Sequence, residues 1–214
     1  MKKFFTLLLA VISTMTAFAQ TEPAIELQAE VDGNTRTLTI GLATEGTVQI
    51  DWGNGEKVTS EVIPAFDGWN QVNVSGTVSG EGKVKIYGDN IVCFECSSTV
   101  KGAKVLSLDV TKATALKDLT ANTNKLTAID LTKNTELEKL YININQLTSI
   151  DISKCTKLTT LNIEENLLTA IDITKNQALQ TLRISPEQIC WRIGFIHQSN
   201  HQICICPWNG AKLS

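Results

Sequence analysis

The chain has 214 residues, of which 19 are Lys or Arg and 22 are Asp or Glu, so its net charge is −3 at pH 7. Removal of Lys2 and Lys3 with the N-terminal segment described next would leave 17 basic and 22 acidic residues, a net charge of −5. This balance argues against nucleic-acid binding, which needs a concentration of basic residues.

Residues 1–19 have the pattern of a secretory signal peptide. A basic start at residues 1–3 is followed by an apolar run from 4 to 12 and by Ala17-Phe18-Ala19, an A-x-A cleavage site. We expect cleavage after Ala19. The apolar run is too short to span a bilayer, and no later segment approaches that length. The pattern predicts export to the periplasm, the cell surface or the medium, with no transmembrane segment after cleavage.

Residues 20–90 form a second segment, in which short alternating stretches are separated by turn residues. The predicted strands are 24–31, 35–43, 47–52, 70–78 and 83–87. Turn signals such as Asp32-Gly33-Asn34 and Gly53-Asn54-Gly55 lie between them. Because no helical period competes, the segment is predicted to be a small β-sandwich-like domain.

The stretch from Val48 to Gly55 resembles the W-G-D-G turn of PKD-like domains of the immunoglobulin type, with Asn54 at the position of the usual Asp. The resemblance implies that Trp52 is a core residue. It also implies that Gly53 and Gly55 have positive φ in a tight turn.

A 21-residue repeat fills the second half of the chain. Its motif L-T-x-I-D-[IL]-[ST]-K-[NC] starts at Leu126, Leu147 and Leu168. The intervening motif L-x-x-L-x-I starts at Leu137, Leu158 and Leu179. A fixed period of about 20–29 residues with L-x-x-L-x-L-x-x-N is typical of a leucine-rich repeat solenoid. The sequence therefore predicts a mainly β fold, with the small N-terminal domain followed by a short solenoid.

The repeat also predicts which side chains face the core. Leu140 and Ile142 are two residues apart, so they point to one side of a strand while Tyr141 points to the other. Stacked coils bury the apolar sides in one continuous core. An Asn follows each strand, and a buried amide there would hydrogen-bond to backbone groups of its own coil and the next. These structural asparagines are Asn124, Asn145 and Asn166.

The repeats resemble the leucine-rich repeat proteins of Bacteroides-like bacteria, in which N-x-L-T-x-L-D-L-S-x-N-T-x-L-x-x-L is a common unit. The segment 145–153 and its two neighbours carry the resemblance, which covers Leu106 to about Ile184. An atypical first coil, starting at Ile91, lies 25 rather than 21 residues before Leu116. We therefore place the solenoid at residues 91–184, with that coil as a cap.

Residues 185–214 depart from the period and contain potential metal ligands. Three alternatives remain open for this tail: a zinc site, a disulfide-stapled cap, and an irregular or non-native end, which the sharp break in composition favours. The potential ligands are Cys190, His197, His201, Cys204 and Cys206.

The other cysteines do not form a clear disulfide framework. Cys155 replaces the Asn found at positions 134 and 176 of the neighbouring repeats, which predicts a buried thiol. Cys93 and Cys96 would face opposite sides of a strand, which disfavours a bond between them.

We predict neither a metal site nor a cofactor. One Asp recurs in each coil, but a single carboxylate per coil is a poor site for calcium, which takes six to eight oxygen ligands, so turn-bonding aspartates are favoured. A calcium site at the Gly53-Asn54-Gly55 turn, formed by Asp51, Asn54 and Glu56, is the alternative that we do not favour. The recurring residues are Asp109, Asp130, Asp151 and Asp172.

The sequence contains no pattern of catalytic residues. Its two histidines both lie in the tail, and G-x-S-x-G, H-E-x-x-H and phosphate-loop motifs are absent. We therefore predict that the protein is not an enzyme.

The candidate binding surface is the outward side of the solenoid strands, which we expect to line its concave face. We expect Tyr141 and Arg183 to be the anchors, because Tyr and Arg are enriched among residues that dominate binding energy. The predicted surface comprises Asp118, Thr120, Asn122, Lys139, Tyr141, Asn143, Thr160, Asn162, Glu164, Thr181 and Arg183.

The predicted function is non-catalytic, extracytoplasmic recognition of a protein partner through this concave face, and the resemblance implies a role in adhesion or host interaction. Two alternatives remain: glycan binding by the N-terminal domain or the concave face, and a structural fragment of a larger surface protein. Few outward aromatic residues are available to stack on sugars, which favours a protein partner.

Overall fold

The computed structural model describes residues 22–62, 70–99 and 102–185, together with the backbone of 202–203. None of these residues is helical, which confirms the predicted mainly β class. The strands are β1 Ile25–Ala29, β2 Thr35–Leu42, β3 Gly46–Asp51, β4 Lys57–Val62, β5 Asn70–Thr77, β6 Lys83–Tyr87, β7 Ile91–Glu95, β8 Val105–Asp109, β9 Asp118–Thr120, β10 Lys139–Tyr141, β11 Thr160–Asn162, β12 Thr181–Arg183 and β13 Gln202–Ile203.

The strands form two sheets in the described part of the chain. One has the order β4-β3-β6-β1-β8, and the other has the order β13-β12-β11-β10-β9-β7-β2-β5. All pairs of the first sheet are antiparallel. In the second sheet, β2 pairs antiparallel with β5 and β7, whereas the strands from β7 to β13 are parallel. The second sheet therefore runs from the N-terminal region into the repeats.

The five strands predicted in the N-terminal region are present, but a further strand, β4, was not predicted. Its residues are mostly exposed, with Val58 49% exposed and only Val62 buried. A strand with one packed and one solvated face shows a clear alternation of apolar and polar residues, whereas β4 has only its last residue buried, which explains why the sequence pattern did not predict it.

The turn after β3 has the predicted structure. Trp52 is buried, and Gly53 and Gly55 have φ values of 101° and 82°. The Oδ1 atom of Asp51 accepts hydrogen bonds from the N–H groups of both glycines, at 2.8 and 2.9 Å. A Cβ atom on Gly76 of β5 would lie 2.2 Å from the Trp52 ring, so the indole requires glycine there. The likeness of this region to PKD-like domains stays a prediction.

Strands β9 to β12 are successive turns of the predicted solenoid, which the structure confirms. Their central residues pair in register at steps of 21 and are all buried. Stacking of these coils buries apolar side chains that a single coil would leave in water. The paired residues are Leu119, Leu140, Leu161 and Leu182.

The first coil connects the two parts of the chain. Its strand β7 pairs Phe94 with Leu119 of the next coil, which confirms the 25-residue step, and with Ile40 of β2. Its second strand, β8, pairs with β1 in the other sheet. Buried residues of both sheets and all coils form one hydrophobic cluster. The N-terminal strands thus cover the end of the solenoid; the predicted boundary between residues 90 and 91 stays a prediction and falls immediately before β7.

One step of the 21-residue period is present beyond Ile184. The backbone of β13 pairs parallel with β12, and Ile203 stands opposite Leu182, again 21 residues later. The repeat motif does not predict this step, because the position of the recurring Asn is Glu187 in this repeat. The irregular or non-native character of residues 185–214 stays a prediction. The zinc and disulfide alternatives for residues 185–214 fall on side chains outside the described residues.

The asparagine after each strand joins its coil to the preceding one. Asn145 Nδ2 donates to the carbonyl oxygens of Ala121 in the preceding coil, at 2.9 Å, and of Ile142 in its own coil, at 3.0 Å. Its Oδ1 accepts the N–H of Leu126, at 3.0 Å. Asn124 and Asn166 repeat this arrangement. These contacts confirm the predicted structural role, and we call the three residues the asparagine ladder.

A second column of amides lies on the opposite side of the coils. Asn134 and Asn176 each donate two hydrogen bonds of 2.8–3.0 Å to carbonyls of the preceding coil. Cys155 occupies the equivalent position between them and is a buried free thiol, as predicted. Its Sγ makes one longer contact, 3.8 Å, with the carbonyl of Leu131.

We predict that Asn145→Ala lowers the free energy of unfolding by about 1–3 kcal/mol. The substitution leaves the buried N–H of Leu126 without its partner, and an unsatisfied buried group costs about 1–3 kcal/mol. The carbonyl oxygens of Ala121 and Ile142 each keep one hydrogen bond, from Asn124 and Asn166. Urea denaturation measures the change. The control is Gln146→Ala, which removes an exposed neighbouring side chain and is expected to change stability by less than about 0.5 kcal/mol. A loss below about 1 kcal/mol for Asn145→Ala would contradict the role of the ladder.

Candidate functional site

The parallel register assembles the predicted binding residues into rows on one side of β9 to β12. The first row consists of Asp118, Lys139, Thr160 and Thr181. The second row consists of Thr120, Tyr141, Asn162 and Arg183. Asn122, Asn143 and Glu164 follow two residues after the second row. Because the buried leucines lie between the rows, the pleat directs both rows away from the core.

The predicted anchors lie in the same row. Tyr141 of β10 and Arg183 of β12 are separated by one strand, which places their backbones about 10 Å apart at the usual strand spacing. Arg183 is exposed and Tyr141 is partly exposed. This separation allows one compact surface to contact both side chains.

One predicted residue of this row is largely covered. Asn162 is only 9% exposed, and its Oδ1 accepts the N–H of Glu164 at 3.2 Å. Its amide therefore fixes the backbone of its own coil instead of presenting both polar atoms to a partner. The amide of Asn122 also bonds to the backbone, but in the next coil, since its Oδ1 accepts the N–H of Asn143 at 3.1 Å.

The charges of the surface are partly paired. Lys139 Nζ lies 3.8 Å from a carboxylate oxygen of Asp118 in the neighbouring coil. Burial raises the pKa of Asp118, and Lys139 acts in the opposite direction. Arg183 has no ion pair among the described residues. The guanidinium at the C-terminal end is therefore the charge most available to a partner.

Each residue that precedes the asparagine ladder has a left-handed backbone. The φ values are 59° for Thr123, 56° for Ile144 and 53° for Glu165. This conformation is unusual for β-branched residues and costs about 1–2 kcal/mol. The strain occurs where each coil turns away from the outward rows, so the hydrogen bonds of the ladder hold the end of each row in place.

The outward rows continue beyond the solenoid, which the sequence did not predict. Glu95 of β7 pairs with Thr120 and also with Thr39 of β2, and Thr39 in turn pairs with Asn73 of β5. The Thr39 hydroxyl donates to Asn73 Oδ1 at 2.8 Å. The Thr residues at alternate positions of β2 are the sequence feature that could have indicated this extension. Their alignment with the repeats depends on a long-range antiparallel register that periodicity does not contain.

A polar cleft of about 400 Å³ lies beside this extended face, between the start of β2 and residues 97–99 and 102–103. Thr35, Thr37, Ser97 and Ser98 contribute hydroxyl groups to it. Arg36 is 9% exposed and donates to the carbonyl of Ala103, and burial lowers the pKa of its guanidinium.

The recurring aspartates serve the turns, as the favoured prediction states. Each accepts the backbone N–H two residues later at 2.8–2.9 Å. The side-chain hydroxyl and then the backbone N–H of Thr132 and Thr174 lower the pKa of Asp130 and Asp172, and the N–H and hydroxyl of Ser153 lower that of Asp151. No group of three or more His, Cys, Asp or Glu side chains in the described part of the chain has the arrangement of a metal site.

The two buried thiols of the described residues are poor nucleophiles. Burial raises the pKa of Cys96 to about 12 and that of Cys155 to about 11. Because the thiolate is the reactive form, neither side chain has the environment of a catalytic cysteine. Cys96, just after β7, is buried, whereas Cys93 lies in the outward row with Asp118, so the two face opposite sides of the chain as predicted.

Comparisons with known proteins identify the repeats. Residues 135–176 match the family model described as Leucine Rich repeats (2 copies), so the chain contains leucine-rich repeats. No curated protein gives a significant match. Among the described residues, no helix has the length and apolar character required to cross a membrane.

Two solved structures from Listeria monocytogenes are similar to part of the chain. One is the functional domain of InlJ, which includes a cysteine ladder; it is 34% identical over 38% of this chain and 18% of that chain, with a TM-score of 0.38. The other is an internalin, InlF, at 23% identity over 44% of this chain and 34% of that chain, with a TM-score of 0.36. This chain thus spans about a fifth and a third of the two proteins.

We predict that Ile144→Asn raises the free energy of unfolding by about 1 kcal/mol, because Asn tolerates the left-handed conformation that strains a β-branched residue. Thermal or urea unfolding measures the gain. Leu167→Asn is the matched control, since it also replaces an exposed apolar residue but has no positive φ, and no gain is expected. Equal effects of the two substitutions would show that strain at Ile144 contributes nothing.

Proposed function

We propose that this protein recognises a protein partner, without catalysis, through the outward face of β9 to β12. The observation that carries the proposal is the placement of Tyr141 and Arg183 in one row, separated by one strand. Aromatic and Arg side chains dominate the energy of many protein interfaces, and rigid presentation lowers the entropic cost of binding.

The charges of the face indicate the chemistry of the partner. Lys139 lies within ion-pair distance of Asp118, whereas Arg183 is exposed and has no ion pair among the described residues. The partner surface should therefore place a carboxylate against Arg183, in the bidentate geometry that a guanidinium favours. The partner should also have a group that packs on the ring of Tyr141, about 10 Å from that carboxylate, because this distance is twice the strand spacing.

The site of action that we propose is extracytoplasmic. The support is the signal-peptide pattern of residues 1–19, which lies outside the described residues. A protein-binding face on an exported protein fits a role in adhesion or host interaction. The PKD-like character of residues 20–90 belongs to the same proposal.

Glycan binding is the second candidate function. It is favoured by the neutral hydroxyl groups of β2 and β5 and by the polar cleft next to them, which offer hydrogen bonds suited to sugar hydroxyls. The lining of the cleft contains no aromatic ring on which a sugar could stack. A glycan site would therefore lie on the N-terminal strands, away from Tyr141.

A binding screen of the purified chain against extracellular proteins and a glycan array tests both functions. We predict a protein ligand whose affinity falls at least about 100-fold in the Tyr141→Ala, Arg183→Ala double variant, since each interface anchor contributes about 2 kcal/mol or more. The control is Lys133→Ala, Lys154→Ala, which removes two exposed side chains next to the Asp turns.

The outcomes separate the candidates. A protein ligand that the double variant binds as tightly as the wild type would contradict the proposed face. A glycan ligand sensitive to Thr37→Ala but not to the double variant would establish the second function instead. Equal losses in the control variant would show that the effect is nonspecific.

A further inference from the structure

β5 is an edge strand without the features that usually prevent pairing with a further strand. It is the last strand of the eight-stranded sheet, so one of its sides has no strand partner among the described residues. It pairs with β2 over eight consecutive residues without a bulge, and its sequence NQVNVSGT contains neither a charge nor a proline. Natural edge strands are usually protected by charged residues, proline, bulges or short length. β4, at the edge of the other sheet, does carry charges, at Lys57 and Glu61.

We propose that a second copy of this chain pairs with β5, antiparallel about a two-fold axis, to form a homodimer. A two-fold interface must be complementary to itself, because each residue meets the same surface on the other copy. An uncharged strand satisfies this condition, since no like charges meet across the axis.

The sequence of β5 fits a self-pairing register. With Asn73 opposite Asn73 of the partner subunit, Val72 lies opposite the partner subunit's Val74, and Gln71 lies opposite the partner subunit's Ser75. Val74 is buried and Val72 packs against the core, so the apolar residues extend the core face. Asn73 and Ser75 are exposed on the other face. These three pairs match polar with polar or apolar with apolar, which an odd shift in register would reverse.

The dimer has a consequence for the binding face, although it does not depend on the proposed function. The outward rows already run from Arg183 to Asn73 across seven strands. Pairing of two β5 strands would make the rows of both copies continuous. A multivalent ligand would then meet two identical faces and bind with an avidity above that of one face.

Sedimentation equilibrium of the purified full chain tests the proposal with the protein itself as the probe. Interfaces smaller than about 1,200 Å² are typically weak, so the measurement should extend from about 1 µM to about 0.5 mM. We expect a monomer–dimer equilibrium in this range. Asn73→Lys and Asn73→Glu should each raise the dimer Kd at least about tenfold, because like charges would stand directly opposite each other.

An equimolar mixture of the two variants provides the decisive comparison. Opposite charges then face each other, so the mixture should form a heterodimer at least as tight as the wild-type dimer. Thr59→Lys, which adds the same charge at the edge strand β4, should leave the dimer unchanged. Circular dichroism verifies that each variant retains its strands.

Four results would overturn the proposal. They are a wild-type chain that stays monomeric at about 0.5 mM, a dimer insensitive to both Asn73 variants, a mixture no tighter than the single variants, and equal weakening by Thr59→Lys.

Discussion

The side-chain amide that follows β9, β10 and β11 is the contact on which the rest of the solenoid depends. In the coil of Asn145 it satisfies the N–H of Leu126 and shares two carbonyl oxygens with the amides of the neighbouring coils. Buried backbone groups without partners are costly, so the amide stabilises the path of the chain at this corner. That path includes a left-handed residue just before the amide, even where the residue is the β-branched Ile144. The ladder therefore compensates for a local strain that the sequence would otherwise avoid.

The ladder also determines the geometry of the candidate binding face. Because each asparagine bonds to its own coil and the preceding one, adjacent coils cannot shift by a residue without breaking several buried hydrogen bonds. The rows that contain Tyr141 and Arg183 are straight for this reason. At the N-terminal end, β7 and β8 connect the coils to both sheets and extend the hydrophobic cluster. A solenoid needs such a covered end, since its first coil would otherwise expose an apolar face to water.

Much of the repeat region could be predicted from the sequence, because a 21-residue period repeats the same local environment in each coil. The buried leucines, the role of Asn145 and its equivalents, and the outward rows all follow from that period. Features that arise from long-range pairing could not be predicted in this way. The pairing of β8 with β1 and the extension of the rows to Asn73 depend on an antiparallel register set by the N-terminal strands. Asn162 lies in an outward row but is largely covered, because its amide oxygen accepts the N–H of Glu164 in the following turn instead of facing solvent.

Amide hydrogen exchange tests the central claim most directly. The N–H groups of Val105, Leu126 and Leu147 donate to the ladder amides at 2.9, 3.0 and 3.1 Å. If the ladder holds the coils together, these three amides should exchange only through global unfolding, with protection equal to the full free energy of unfolding. Exchange at the rate of the exposed turn residues Thr127 and Thr148 would show that the coils separate locally and that the ladder does not control the stack.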